Sequence, residues 1–194
     1  MEEIFVSVDV EANGDLVGIH SMLSIGSVAF RVGADGYDQI DVFEANLQEY
    51  PGAVQDADTM AWWSNYPEAW QKIRTNAEPP AVVMTRYLDW IKALPGEVAL
   101  VAYPASYDFM FVYWYLKRFT GEKPFGWSGL CSRTYAMSAL REKSWIHFSK
   151  NNIPDKFKSS HPHDHTPLND AIQQAQEFAA IYHSNVMLCA PRSI

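Results

Sequence analysis

Cysteine is nearly absent from this chain. The 194 residues include two, Cys131 and Cys189, and their separation matches no metal-ligand or redox spacing. A reduced, cytoplasmic protein is the expected setting. Positive charge is also scarce: 15 Lys and Arg stand against 23 Asp and Glu, a formal net charge of −8. Such a balance argues against a protein that coats long duplexes by neutralising phosphates. No repeat, low-complexity tract or flexible linker interrupts the chain, so one domain over residues 1–194 is expected. The opening MEEIFVSVDVE is acidic and lacks the positive region of a signal peptide. The longest apolar stretch, Leu100 to Leu116, is broken by Pro104, Ser106 and Asp108. It falls short of the roughly 20 residues a membrane span needs, and reads as a buried strand, a turn and a buried helix.

Apolar residues, by contrast, are plentiful at 48%, with 14% aromatic, which is the composition of a chain with a substantial core. Ile4 to Val10, Leu23 to Val32 and Gln39 to Leu47 have strand composition. The NGD and GADG turns between them predict an antiparallel meander. Helices are expected at Asp58–Trp63, Pro67–Thr75, Pro80–Ala93 and Ser132–Leu140, and a strand at Val98–Ala102 leads into a helix containing Asp108. Glu142 to Asp164 reads as irregular. The last helix is the clearest, with Leu168, Ala171, Ile172, Ala175, Phe178, Ala179 and Tyr182 on one face, Thr166 as N-cap and Pro167 in the first turn. A meander followed by helices and a further strand is an α/β arrangement.

Three features carry chemistry. Asp9 and Glu11 lie two apart on the first strand and therefore share a face. Paired carboxylates repel unless a cation separates them, and Mg²⁺ or Mn²⁺ prefers such oxygens. Asp108 opens a strongly apolar helix, where burial without a partner is costly. His165 and Asp170 bracket the start of the last helix. An imidazole there can take a proton from water, and the carboxylate can bind metal. Each feature alone has a plainer reading: a solvated strand end, a favourable helix-dipole contact, a capping or surface histidine.

Together they resemble the DEDDh 3′→5′ exonucleases, the family of oligoribonuclease, ribonuclease T and polymerase proofreading subunits. Asp9-Val10-Glu11 matches the first motif, Asp108 in YPASYDFMF the second, and His165 with Asp170 and Ala171 the third. The likeness spans about residues 4 to 182. TMAWWSNYPEAW, with Thr59, Trp62 and Trp63, further resembles a short-chain subgroup described mainly as exoribonucleases. Departures are Pro104 where Asn is common, Tyr107 for Phe, Pro167 for Ala, and Ala-Asn-Gly after Glu11. None removes a metal ligand, and together they bear on substrate preference.

The resemblance implies a ribonuclease-H-like α/β fold, a central mixed sheet flanked by helices. It implies hydrolysis of the terminal phosphodiester of RNA or single-stranded DNA to nucleoside 5′-monophosphates. Asp9, Glu11, Asp108 and Asp170 would hold two Mg²⁺ or Mn²⁺ ions about 3.5–4 Å apart, with His165 as general base. Bound cations would supply the positive charge that the side chains lack. Ala12 and Asn13 are placed by the resemblance at the terminal nucleotide. Trp62, Trp63, Tyr107 and Phe109 are candidates for base contacts, set against a role in packing. A homodimer is suggested by analogy alone. Rival readings are a binding module without catalysis, a hydrolase of a dinucleotide or other small phosphodiester, and a zinc or nickel protein using His161, His163 and His165 from a strand.

Overall fold

Strand β1 (Glu3–Ala12) alternates two chemistries. Ile4, Val6, Val8 and Val10 are buried on one face, while Phe5, Ser7, Asp9 and Glu11 point to the other. Burying each of those aliphatic side chains contributes roughly 1.5–3 kcal/mol, enough to fix the register against a slip that would turn the carboxylates into the core. The computed structural model describes residues 3–189, with side chains described through residue 186.

β1 sits at the centre of a five-stranded sheet of order β3-β2-β1-β4-β5. β2 (Met22–Gly33) and β3 (Gly36–Asn46) continue from β1 as the expected antiparallel meander. β4 (Glu97–Ala102) lies parallel to β1 on its other side, and the two-residue β5 (Leu130–Cys131) lies parallel to β4. The mixed sheet and its flanking helices match the expected fold class. The β1–β2 link differs from the expected tight NGD turn. Residues 13–21 form a longer loop, in which Ser21 N donates to Asn13 Oδ1 (2.7 Å) and Leu16 N donates to His20 Nδ1 (3.0 Å).

Helices cover both faces. α3 (Pro80–Ala93) and α4 (Ala105–Thr120) pack on the Ile4–Val10 face, where Tyr87, Phe111 and Tyr115 are buried. α6 (Pro167–Cys189) covers the opposite face, packing Ala171, Ala175, Phe178 and Ala179 against Phe5, Val28 and Phe30. α1 (Ala57–Trp63) begins at Asp56, whose carboxylate accepts from Thr59 N at 2.7 Å as an N-cap. α2 (Pro67–Arg74) and α5 (Ser132–Ala139) complete the set. Leu100–Leu116 is strand, turn and helix as expected, and no helix among the described residues is long and apolar enough to cross a membrane.

Residues 142–164 are irregular apart from short 3₁₀ turns at 150–152 and 155–157. Thr166 contributes its carbonyl to Asp170 N (3.1 Å), the first bond of α6, while its hydroxyl donates to Asp164. Cys131 is a free thiol, and the side chain of Cys189 lies outside the described residues.

Candidate active site

The carboxylate face of β1 ends under the first turn of α6. One oxygen each from Asp9, Glu11 and Asp170 lies within 4.8 Å of the others. β1 delivers the first two by its two-residue period, and Gln174 Nε2 ties α6 down by donating to Val8 O at 2.7 Å in the interior. Asp108, in the first turn of α4, enters from the far side of the sheet. Its Oδ1 accepts from Val10 N at 3.1 Å, joining residues 98 apart in sequence between the two acids of β1. Asp108 and Asp170 are buried.

Burial pushes all four carboxyls above their ordinary range. For Asp9 and Glu11 the charges of their neighbours add to it, and for Asp108 hydrogen bonding from Val10 N partly offsets a rise to about 7. Four converging acids in a low-dielectric setting are costly without a cation, and their all-oxygen donor set is that of hard divalent ions. The residues present therefore fit Mg²⁺ or Mn²⁺.

Entry to α6 is shaped by Asp164, which accepts from Thr166 N (3.2 Å) and Asn169 Nδ2 (2.9 Å) and donates its own N–H to Asp170 Oδ1 (3.2 Å). The histidines on this segment are not on a strand as the rival reading had them, and His161 turns away from the other two. His161 pairs with Asn169 (Nε2···Oδ1 3.2 Å), and His163 Nδ1 is 2.9 Å from Asp170 Oδ1. His165 has φ +57, a left-handed conformation uncommon for a residue with a side chain. Its ring rests edge-on against Tyr66 and Trp62, at centroid distances of 4.4 and 5.1 Å, and also lies 5.1 Å from the His163 ring. A ring nitrogen of each of His163 and His165 falls within 4.8 Å of an Asp170 oxygen and of the other. Burial and the neighbouring His163 lower the His165 pKa.

The remaining candidates divide. Trp62 is 40% exposed beside His165, whereas Trp63 is 2% exposed and donates Nε1–H to Ala12 O at 3.0 Å. Ala12 and Asn13 have buried side chains, and the Asn13 carboxamide braces Ser21. Tyr107 is half-buried, its hydroxyl 3.4 Å from Gly14 O, and Phe109 packs on Tyr113. Three residues escaped the sequence reading. Tyr66 is one side of the His165 seat. Lys150 places an ammonium whose field lowers the carboxyl pKa values of Asp9, Asp108 and Asp170. Gly26 pairs with Asp9 across β1 and β2. A lone glycine inside an apolar strand signals close backbone approach, so only Gly26 left a usable trace.

A ribonuclease-H-like sheet with four carboxylates gathered at the end of its central strand is the architecture of a 3′-5′ exonuclease of the DEDDh class. The chain belongs to the 3′-5′ exoribonuclease Rv2179c-like domain family, whose sequence model matches residues 4–182. Among curated proteins it is similar to the 3′-5′ DNA exonuclease Cap18 of Escherichia coli, 30% identical over 186 residues that cover 93% of this chain and 92% of that one. Among solved structures, the nuclease domain of 3′hExo, a DEDDh family member bound to rAMP, superposes with a TM-score of 0.66 at 13% identity, covering 97% of this chain and 92% of that one. Pop2p of S. pombe, with Mg²⁺ and Mn²⁺ bound, gives a TM-score of 0.60 at 15% identity, covering 91% and 82%. These structural likenesses establish the fold.

Proposed function

We propose that this exonuclease removes nucleotides from the 3′ end of single-stranded RNA or DNA, releasing nucleoside 5′-monophosphates. The observation that carries the reading is the convergence of Asp9, Glu11, Asp108 and Asp170, with His165 beside Asp170. The family's description names an exoribonuclease and the Escherichia coli relative a DNA exonuclease, so both sugars belong to the proposed substrate class. The Mg²⁺–Mn²⁺ structure of the Pop2p neighbour supports the same choice of ions.

Asp9, Glu11, Asp108 and Asp170 would hold the metal. When bound, a pair of Mg²⁺ or Mn²⁺ ions supplies a lowered pKa for the attacking water and neutralises charge at the departing 3′ oxygen. His165 takes the proton of that water on a ring nitrogen. Its lowered pKa keeps the imidazole neutral, and so able to accept, at neutral pH. Tyr66 and Trp62 hold the ring edge-on, which limits the orientations it samples. Val10 N fixes the Asp108 carboxylate, and Asp164 N fixes that of Asp170. Trp62, exposed next to His165, offers a face for the terminal base.

The test uses 5′-labelled single-stranded RNA and DNA of matched sequence, with Mg²⁺, with Mn²⁺ and with chelator. A ladder that shortens from the 3′ end only with metal supports the reading, and the ratio of kcat/KM for the two polymers gives the sugar preference. Cleavage of neither, by folded protein with both metals, overturns it.

A further inference from the structure

Positive charge is unevenly placed on this acidic chain. Residues 133–158 hold Arg133, Arg141, Lys143, Lys150, Lys156 and Lys158, six of the 15 basic residues, with two of the 23 acids, Glu142 and Asp155; their net charge is +4 on a chain of −8. The segment is also aromatic, and it borders the acid site. A groove of about 380 Å³ runs between Tyr103 and the 146–151 turn, with Arg133, Ile146, His147 and Lys150 in its walls.

Lys150 marks the end of the groove nearest the carboxylates. Its Nζ is 3.4 Å from Gln173 Oε1 on α6, less than one turn beyond Asp170, and 5.4 Å from the Tyr103 ring centroid. Arg133 braces the opposite wall, donating from Nε to Phe148 O (3.0 Å) and from Nη2 to Trp145 O (2.8 Å). Its guanidinium lies 4.3 Å from the Trp145 ring centroid, and Trp145 Nε1 donates to Thr134 Oγ1 at 3.2 Å. The result is a loop held from below that presents Trp145 (49% exposed) and Ile146 (78% exposed) to solvent. Apolar groups so exposed on a braced, cationic loop fit unpaired bases, whose faces stack without regard to sequence while the cations follow the backbone.

We infer that this groove carries the upstream nucleotides of a single-stranded substrate, Lys150 taking the phosphate next to the acid site and the Trp145–Ile146 surface the bases behind it. The inference rests on the exonuclease reading for which end of the strand enters the acid site. A paired duplex has no free base face to offer Trp145, so the groove selects single strands. Because the rest of the chain is strongly acidic, Lys150 and Arg133 also steer the strand along this basic approach to the site.

The test is binding in chelator, where no turnover occurs, read by fluorescence anisotropy with labelled oligothymidylate. The wild-type protein is expected to bind an octanucleotide more tightly than a dinucleotide and more tightly than a blunt duplex. Trp145→Ala is expected to weaken octanucleotide binding roughly tenfold relative to the dinucleotide, the size of one lost base-stacking contact. Lys150→Met is expected to flatten the dependence of log affinity on log salt by about 0.7, the loss of one phosphate contact on a single strand. Should Trp145→Ala fail to fold, Ile146→Ser, at a position outside the core, reads the same surface. Equal affinity for both oligomers, or an octanucleotide affinity untouched by all three variants, would overturn the inference. Neither result bears on the metal-dependent ladder, so the groove and the exonuclease reading fail separately.

Discussion

Gly26 stands across the sheet from Asp9, paired with it in register, on the face that α6 covers. A Cβ at Gly26 would lie 2.2 Å from Leu168 N and 2.2 Å from the Pro167 carbonyl carbon. The missing side chain is what lets the first turn of α6 rest on β2 and bring Asp170 to Asp9 and Glu11. The geometry of the acid cluster is thus set by a residue with no chemistry of its own.

Gly26→Ala is expected to lose activity and to destabilise by about 1–3 kcal/mol, the cost of forcing extra volume against a packed backbone. The obstructing atoms are main chain, so they cannot swing aside as a side-chain tip would. Thermal melting and steady-state hydrolysis check this; wild-type values for both would mean that α6 is not held against β2 as described.

Stability in chelator is expected to fall as pH rises. Asp9, Glu11, Asp108 and Asp170 all have folded pKa values raised by burial, Asp108 to about 7. The folded state therefore binds more protons than the unfolded chain above about pH 4, and stability is lost as pH climbs from there through about 7. Mg²⁺ binds only the folded, ionised cluster and should restore the melting temperature at pH 8 while doing little at pH 5. Asp108→Asn should raise the melting temperature in chelator at pH 8 and lower activity. A melting temperature independent of pH and of Mg²⁺ would remove the cluster's claim to hold metal.

His163 and His165 are expected to fail differently. His165→Ala should lower kcat by roughly 10²–10⁴-fold, the usual contribution of a positioned general base. His163 touches Asp170 Oδ1 at 2.9 Å, so His163→Ala should act chiefly on metal affinity, by roughly 10–100-fold as for other outer partners of metal ligands. Metal titrations at saturating substrate separate the two, and the reverse pattern would exchange their roles.

Trp62 and Trp63 should separate stability from function. Trp63→Ala is expected to cost about 3–5 kcal/mol, because the indole is buried and its N–H serves Ala12 O. Trp62→Ala should cost far less stability and lower kcat by loosening the His165 ring. Denaturant unfolding beside kinetics reads both.

The parts of this structure that repeat along the chain were legible in the sequence. Two-residue alternation in β1 places Asp9 and Glu11 together, the 3.6-residue period defines α6 and its buried face, and Pro80–Ala93 forms the helix its apolar spacing predicts. What does not repeat was not legible. β5 has two residues, too few for any period. Lys150 comes near the acid site on a single 3₁₀ turn within an otherwise irregular segment, and the inward turn of Trp63 against the outward turn of Trp62 depends on where α1 docks. The close approach of His163 to Asp170 depends on the bend at residues 161–165, which spacing to Asp170 alone does not reveal.

The most direct test compares wild-type protein with Asp170→Asn on one 5′-labelled single-stranded oligomer in Mg²⁺, both shown folded by circular dichroism. The account predicts a ladder shortening from the 3′ end with release of nucleoside 5′-monophosphate by the wild type, and an intact oligomer with the variant. Near-normal shortening by Asp170→Asn would contradict it, and would move the chemistry away from the junction of β1 and α6.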